Sequence, residues 1–221
     1  VLFAPDWREG CPYQGFLSDH LEQLGVTVEY LFGYRRVLPL YRGVKHLPQD
    51  VILHLHWPDR YLGDPNSLLS ALRTFRFPFD LKLATRGRPY VATAHNLFPH
   101  NRPQTRLLNR AIRTFYRRAD RIVAHTEGSV QALCETFHVS ETKIRLIPHG
   151  PSDEASNRPI SQGDSRRKLK LDPERPLCLM PGVVSPYKGI DEVIAFWKSH
   201  KPACDLAIVG KPSSAEYGDS L

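Results

Sequence analysis

The chain has 221 residues, 41% hydrophobic and 24% charged, which is ordinary globular composition for one large or two smaller domains. No apolar run approaches the roughly 18–20 residues of a membrane span, so a transmembrane helix is not expected. The net charge of +7 favours anionic partners such as acidic headgroups or phosphate-bearing substrates, unless it is simply a solvated basic surface. Val1–Pro5 reads as a buried strand, followed by a loop holding Gly10, Pro12 and Gly15. A helix over Phe16–Leu24 stops at Gly25. Val26–Phe32 is a strand, and Arg35–Gly43 reads as basic and irregular. Asp50–Trp57 is a strand; Ser67–Phe75 starts a helix that Pro78 interrupts, and Leu81–Thr85 resumes it. Pro89–Ala94 is a strand, and Gln104–Arg118 a strongly amphipathic helix with Leu107, Leu108, Ala111, Ile112, Phe115 and Tyr116 on its apolar side. Strand Arg121–His125, helix Gly128–Phe137 and strand Lys143–Pro148 follow.

Strands with near-continuous apolar runs, joined by helices, predict an α/β fold with a parallel sheet covered on both faces. Residues 1–150 make one domain, the polar stretch 151–167 a linker or mobile loop, and residues 168–221 the beginning of a second α/β domain. The chain starts within a strand and ends just after one, so both termini are expected to be incomplete. The four cysteines show no CxxC pairing and read as buried free thiols of a reducing compartment.

In open parallel sheets ligands lie outside the carboxyl ends of the strands. Polar residues recur at those ends: His54, His56 and Trp57; His95 and Asn96, then His100; His125; His149 and Gly150. His54 and His56 share a strand face as a zinc pair would, but spacing places no third ligand, and no metal is expected. Triad chemistry and a dinucleotide fingerprint are absent. The stretch Leu179–Ile194 runs from an apolar strand through Gly182 and a short turn to Lys188 and Gly189. A helix with Asp191 and Glu192 in its first turn comes next. That layout aims backbone N–H groups, a helix start and one cation at a single point, which suits a phosphate. Arg106, Arg110, Arg113 and Arg117 fall on one helix face, fitting an anionic membrane surface or a polyanionic acceptor; no signature supports nucleic acid.

In order and spacing, Ala119–Thr126, Lys143–Gly150, Gly182–Gly189 and Leu206–Gly210 resemble the GT-B glycosyltransferases of the group 1, or family 4, type. Leu53–Pro58 and Val91–His100 look like a subgroup of bacterial exopolysaccharide assembly. The resemblance implies two Rossmann-like domains facing across a cleft. The first receives a lipid-linked or glycan acceptor; the second holds a UDP- or GDP-linked sugar, mannose being the subgroup's suggestion. No cofactor is implied. Lys188 would contact the donor diphosphate, with Gly182 allowing close backbone approach and Gly189 also at the donor phosphate. His95 would be the catalytic strand-end histidine, Asp59 or Glu127 being alternatives. His56, Trp57, Asn96, His125, His149, Gly150 and Gly210 would line the cleft. Many relatives carry Arg where this chain has Val183, so half of a phosphate clamp is missing. The family's Glu-x7-Glu donor motif would lie beyond Leu221. The enzyme would work in the cytoplasm, peripherally at the inner membrane face. The alternatives are another GT-B enzyme, such as an epimerase, or a non-catalytic acceptor-binding or membrane-docking module that needs a partner.

Overall fold

Six short strands build the first sheet: β1 (Leu2–Ala4), β2 (Glu29–Tyr30), β3 (Leu53–Leu55), β4 (Tyr90–Ala94), β5 (Arg121–Ala124) and β6 (Ile144–Leu146). All pairs are parallel, in the order β2-β1-β3-β4-β5-β6. This computed structural model describes residues 1–9, 11–33, 37–63, 67–99, 103–150 and 160–221. Gly10, Arg35, His100 and the 151–159 part of the expected linker lie outside them. Two compact units divide at Glu154 and Ala155, four residues past the expected edge of the first domain.

The helices of the first unit are α1 (Tyr13–Gln23), α2 (Pro39–Val44), α3 (Asp59–Leu62), α4 (Leu68–Ala84), α5 (Arg106–Arg118) and α6 (Glu127–Phe137). They cover a core in which Phe3, Leu53, Leu55, Ala92, Ile122 and Ala124 of the sheet are fully buried. Phe77 and Leu81 of α4, Phe115 of α5 and Phe137 of α6 close over it. Each such aromatic contributes about 1.5–3 kcal/mol on leaving water. Helix α5 matches its sequence pattern: Leu108, Ala111, Ile112, Phe115 and Tyr116 are buried, and the Thr105 hydroxyl caps it by accepting from the Leu108 N–H at 3.1 Å.

Three expectations change. Helix α4 runs unbroken through Pro78, because Phe77 and Leu81 anchor the turns on either side of it in the core. Their burial outweighs the roughly 3 kcal/mol an internal proline costs. The irregular basic stretch contains α2, which starts at Pro39. Its first-turn N–H groups, those of Leu40 and Tyr41, donate to the Asp80 carboxylate of α4 at 3.1 and 2.9 Å. Strand β2 is only two residues long, as suits a sheet edge. Between α4 and β4, Arg88 is 8% exposed, and its guanidinium donates to the carbonyls of Val44, Leu47, Pro48 and Val51. That fork ties the α2–β3 connection to the sheet.

The second unit has strands β7 (Leu177–Pro181) and β8 (Asp205–Val209), parallel and in register from Leu177 opposite Asp205 to Pro181 opposite Val209. Its helices are α7 (Gln162–Leu169), α8 (Ile190–His200) and α9 (Ala215–Ser220). The linker reading of 151–167 is therefore corrected over its last six residues, which are helical. The Ser161 hydroxyl accepts from the Asp164 N–H at 3.1 Å, and Asp164 pairs with Arg167. Local polar contacts hold α7, so no apolar period announces it. The four cysteines are free, but none is fully buried: Cys178 is exposed and the others intermediate.

Candidate functional site

The strand order reverses between β1 and β3, which opens a crevice at the carboxyl ends of the first sheet. Five elements deliver side chains there. His56 and Trp57 follow β3, His95 follows β4, His125 follows β5, and His149 stands just past β6. Tyr13, the first residue of α1, sits in their midst. Its ring is edge-on to His56, His95, His125 and His149, with centroids 5.8, 4.8, 5.7 and 5.2 Å away. Trp57 stacks on His95 at 4.3 Å, and His125 on His149 at 3.7 Å. His95 Nε2 lies 3.5 Å from His56 Nδ1. Behind them His54 stacks on His56 and meets the Thr93 hydroxyl at 2.7 Å.

Tautomers follow from the partners. The Ile147 carbonyl, 2.8 Å from His125 Nδ1, can only accept, so Nδ1 carries the proton and Nε2 the lone pair. That Nε2 is buried and has no hydrogen-bond partner among the described residues; the same holds for His56 Nε2. Burial pushes His54 and His95 down to about 3, and neighbouring imidazoles add to the effect at His95. Burial holds His56 well below its ordinary value, and His149 is lowered for the same reason and by His125. These four rings are neutral at physiological pH. Tyr13 is pushed up to about 12 by burial and stays a phenol.

Of the other cleft candidates, Asn96 is exposed, and its backbone carbonyl accepts from the Tyr116 hydroxyl at 2.8 Å. Gly150 is exposed with open space beside it. Glu127 is exposed in the first turn of α6, away from the ring cluster's contacts. Tyr13 was missed by the sequence reading. Its position, at the first helix after β1, follows the same strand-end rule that singled out the histidines.

In the second unit Gly182, Lys188, Gly189 and Gly210 come together at the carboxyl ends of β7 and β8. Gly182 has φ +102, and its N–H donates to the Val209 carbonyl at 2.8 Å. A Cβ on Gly210 would lie 1.8 Å from the Gly182 oxygen, so this approach of the two strand ends needs glycine. Lys188 Nζ curls back over Gly182 and donates to the Pro181 carbonyl at 3.3 Å, its one hydrogen bond among the described residues. Gly189, at φ +62, is the N-cap of the eleven-residue α8. An ammonium and a helix start therefore share one strand end. Val183 adds no charge there and is 52% exposed.

A third feature is a groove of about 770 Å³ between α4 and α5. Arg110, Arg113 and Arg117 line it together with Lys82 and the exposed rings of Phe75 and Phe79. Arg106 is exposed at the start of α5 and is not part of the groove lining.

The sequence profile of Glycosyltransferase Family 4 matches residues 2–154, which is the whole six-stranded unit. The chain belongs to glycosyltransferase family 4. Among solved structures, this family 4 chain is similar to a glycosyltransferase from Rickettsia africae, with 15% identity and a TM-score of 0.54 over 98% of this chain and 69% of that one. It is also similar to the Anabaena protein HepE (Alr3699), solved in complex with UDP and glucose. The identity is 16% and the TM-score 0.50, over 93% of this chain and 54% of that one. The fold is that of the GT-B glycosyltransferases. No curated protein sequence matches the chain. No helix among the described residues is long and apolar enough to cross a membrane.

Proposed function

We propose that this glycosyltransferase moves a sugar from a UDP- or GDP-linked donor to a lipid-linked or glycan acceptor. The observation that carries the reading is the meeting of Lys188 Nζ, the Gly182–Gly210 strand ends and the start of α8. A pyrophosphate seated there gains an ammonium and helix N–H groups as its charge grows when the sugar departs. That HepE was solved with UDP and glucose is in keeping with such a donor. His95 serves the acceptor. Its neutral imidazole accepts a hydrogen bond from the acceptor hydroxyl, between the stacked Trp57 and the edge of Tyr13. With a value near 3 it is a weak base at rest, so it takes the proton late, as bond formation makes the hydroxyl acidic. Mannose remains the subgroup's suggestion for the sugar, and exopolysaccharide assembly its suggestion for the setting.

The test is a panel of UDP-glucose, UDP-N-acetylglucosamine and GDP-mannose at saturating concentration. One donor class should raise the melting temperature by about 2–5 °C. With a polyprenyl-linked sugar present, that donor should also yield free nucleoside diphosphate. No shift and no release with any donor would leave a docking module as the better reading.

The α4–α5 groove fits an anionic membrane at the cytoplasmic face. Arg110, Arg113, Arg117 and Lys82 would meet headgroups, while Phe75 and Phe79 enter the interface. Each cation near such a surface is worth about 1 kcal/mol. The double substitution Arg110→Glu and Arg113→Glu should therefore weaken co-sedimentation with phosphatidylserine or phosphatidylglycerol vesicles by at least about tenfold. Unchanged sedimentation would return α5 to an ordinary solvated face.

A further inference from the structure

We propose that His95, His125 and His149 form a binding site for a zinc-class divalent transition-metal ion. One ring nitrogen from each lies within 4.8 Å of the others. The three stand at the ends of neighbouring strands β4, β5 and β6, so the sheet itself holds their backbones side by side. His125 is already arranged as a ligand. Its Nδ1–H is spent on the Ile147 carbonyl, and Ile147 is itself pinned by its N–H to the Ala124 carbonyl at 2.8 Å. Orientation of a ligating imidazole by a carbonyl on its far nitrogen is the usual support of a metal site. The Nε2 lone pair that results is buried and unpartnered among the described residues, a cost that an ion would relieve. His95 is held by Trp57 stacked on one face and His56 at 3.5 Å.

The donor set selects the ion. Three imidazoles and no carboxylate suit zinc, copper, nickel or cobalt rather than calcium or magnesium, which need oxygen ligands. Metal–nitrogen bonds of about 2.0–2.1 Å in a tetrahedron put ligand nitrogens roughly 3.3 Å apart. The triad must therefore close by up to about 1.5 Å from its present spread. His149 is the ring that can move. It is exposed and stands past the last paired residue of β6, Leu146, so neither burial nor strand pairing fixes it in place. Three protein ligands leave a fourth position for water or an anion. All its ligands lie in the first unit, so the site does not depend on the donor reading; it does occupy His95, so an ion held here prevents that imidazole from receiving the acceptor's proton.

Cobalt(II) titration of the chelator-stripped protein tests it. Visible d–d absorption should rise to saturation at one ion per chain, and zinc should displace it while magnesium and calcium should not. His149→Ala, at an exposed position, should weaken cobalt binding more than about tenfold with an unchanged melting temperature. His125→Ala should do the same, and His46→Ala, outside the cluster, should have no effect. Absence of saturable absorption, or affinity within twofold of the parent in both His149→Ala and His125→Ala, overturns the site.

Discussion

Lys188→Ala should lower sugar transfer by about 10²–10³-fold, the usual loss when one preorganised donor to a developing charge is removed. The expectation is this large because Lys188 is the cation whose Nζ curls back over Gly182 at this strand end. Val183 adds no charge, and Gly182, Gly189 and Gly210 meet the ammonium there. The ammonium makes a single 3.3 Å contact to the Pro181 carbonyl, and its loss removes no buried packing. The variant should thus melt with the parent protein while failing to be stabilised by donor. Lys188→Arg should recover only part of the rate, since the planar fork must fit above a glycine where a Cβ alone would sit 2.8 Å from the nitrogen. The readout is nucleoside diphosphate release with acceptor present. Turnover of Lys188→Ala within twofold of the parent would remove the pyrophosphate assignment.

The second large effect is acid lability of the first unit. His54 and His56 are 8% and 1% exposed, and burial holds both below the ordinary histidine value, His54 at about 3. Their folded values are depressed, so the unfolded chain binds more protons between about pH 6.5 and pH 3. Stability is then full above pH 6.5 and falls as pH drops through that window. Each such imidazole costs about 1.4 kcal/mol per pH unit. Between pH 6.5 and 5.0 His54 alone costs about 2 kcal/mol, and His56 adds to that loss in the same direction, against a typical domain's 5–15 kcal/mol. Carboxylates titrate mostly below this range, and their contribution is small there. Urea unfolding at pH 7.5 and 5.0, with chelator present, measures the difference. A midpoint that does not move would contradict the burial of these rings.

The strands, the amphipathic α5 and the alternation that implies a parallel sheet were all legible, because each is written in a local period of apolar residues. The turn holding Gly182, Lys188 and Gly189 was legible for the same reason: its parts lie within eight residues, so local backbone geometry alone gathers them. Helix α7 escaped, since a Ser161–Asp164–Arg167 polar network leaves no apolar trace.

By itself, then, the amino-acid order determined the fold class, the basic face of α5 and a glycine–lysine turn after β7. Tertiary structure alone decided that α2 is capped by Asp80 from a distant helix, that α4 survives Pro78, and that Tyr13 stands among the histidines. It also decided that three histidines, not the pair on one strand, converge within 4.8 Å. The reason is geometric. Parallel strands about 4.8 Å apart place their ends together, whereas long crossovers keep those ends far apart along the chain.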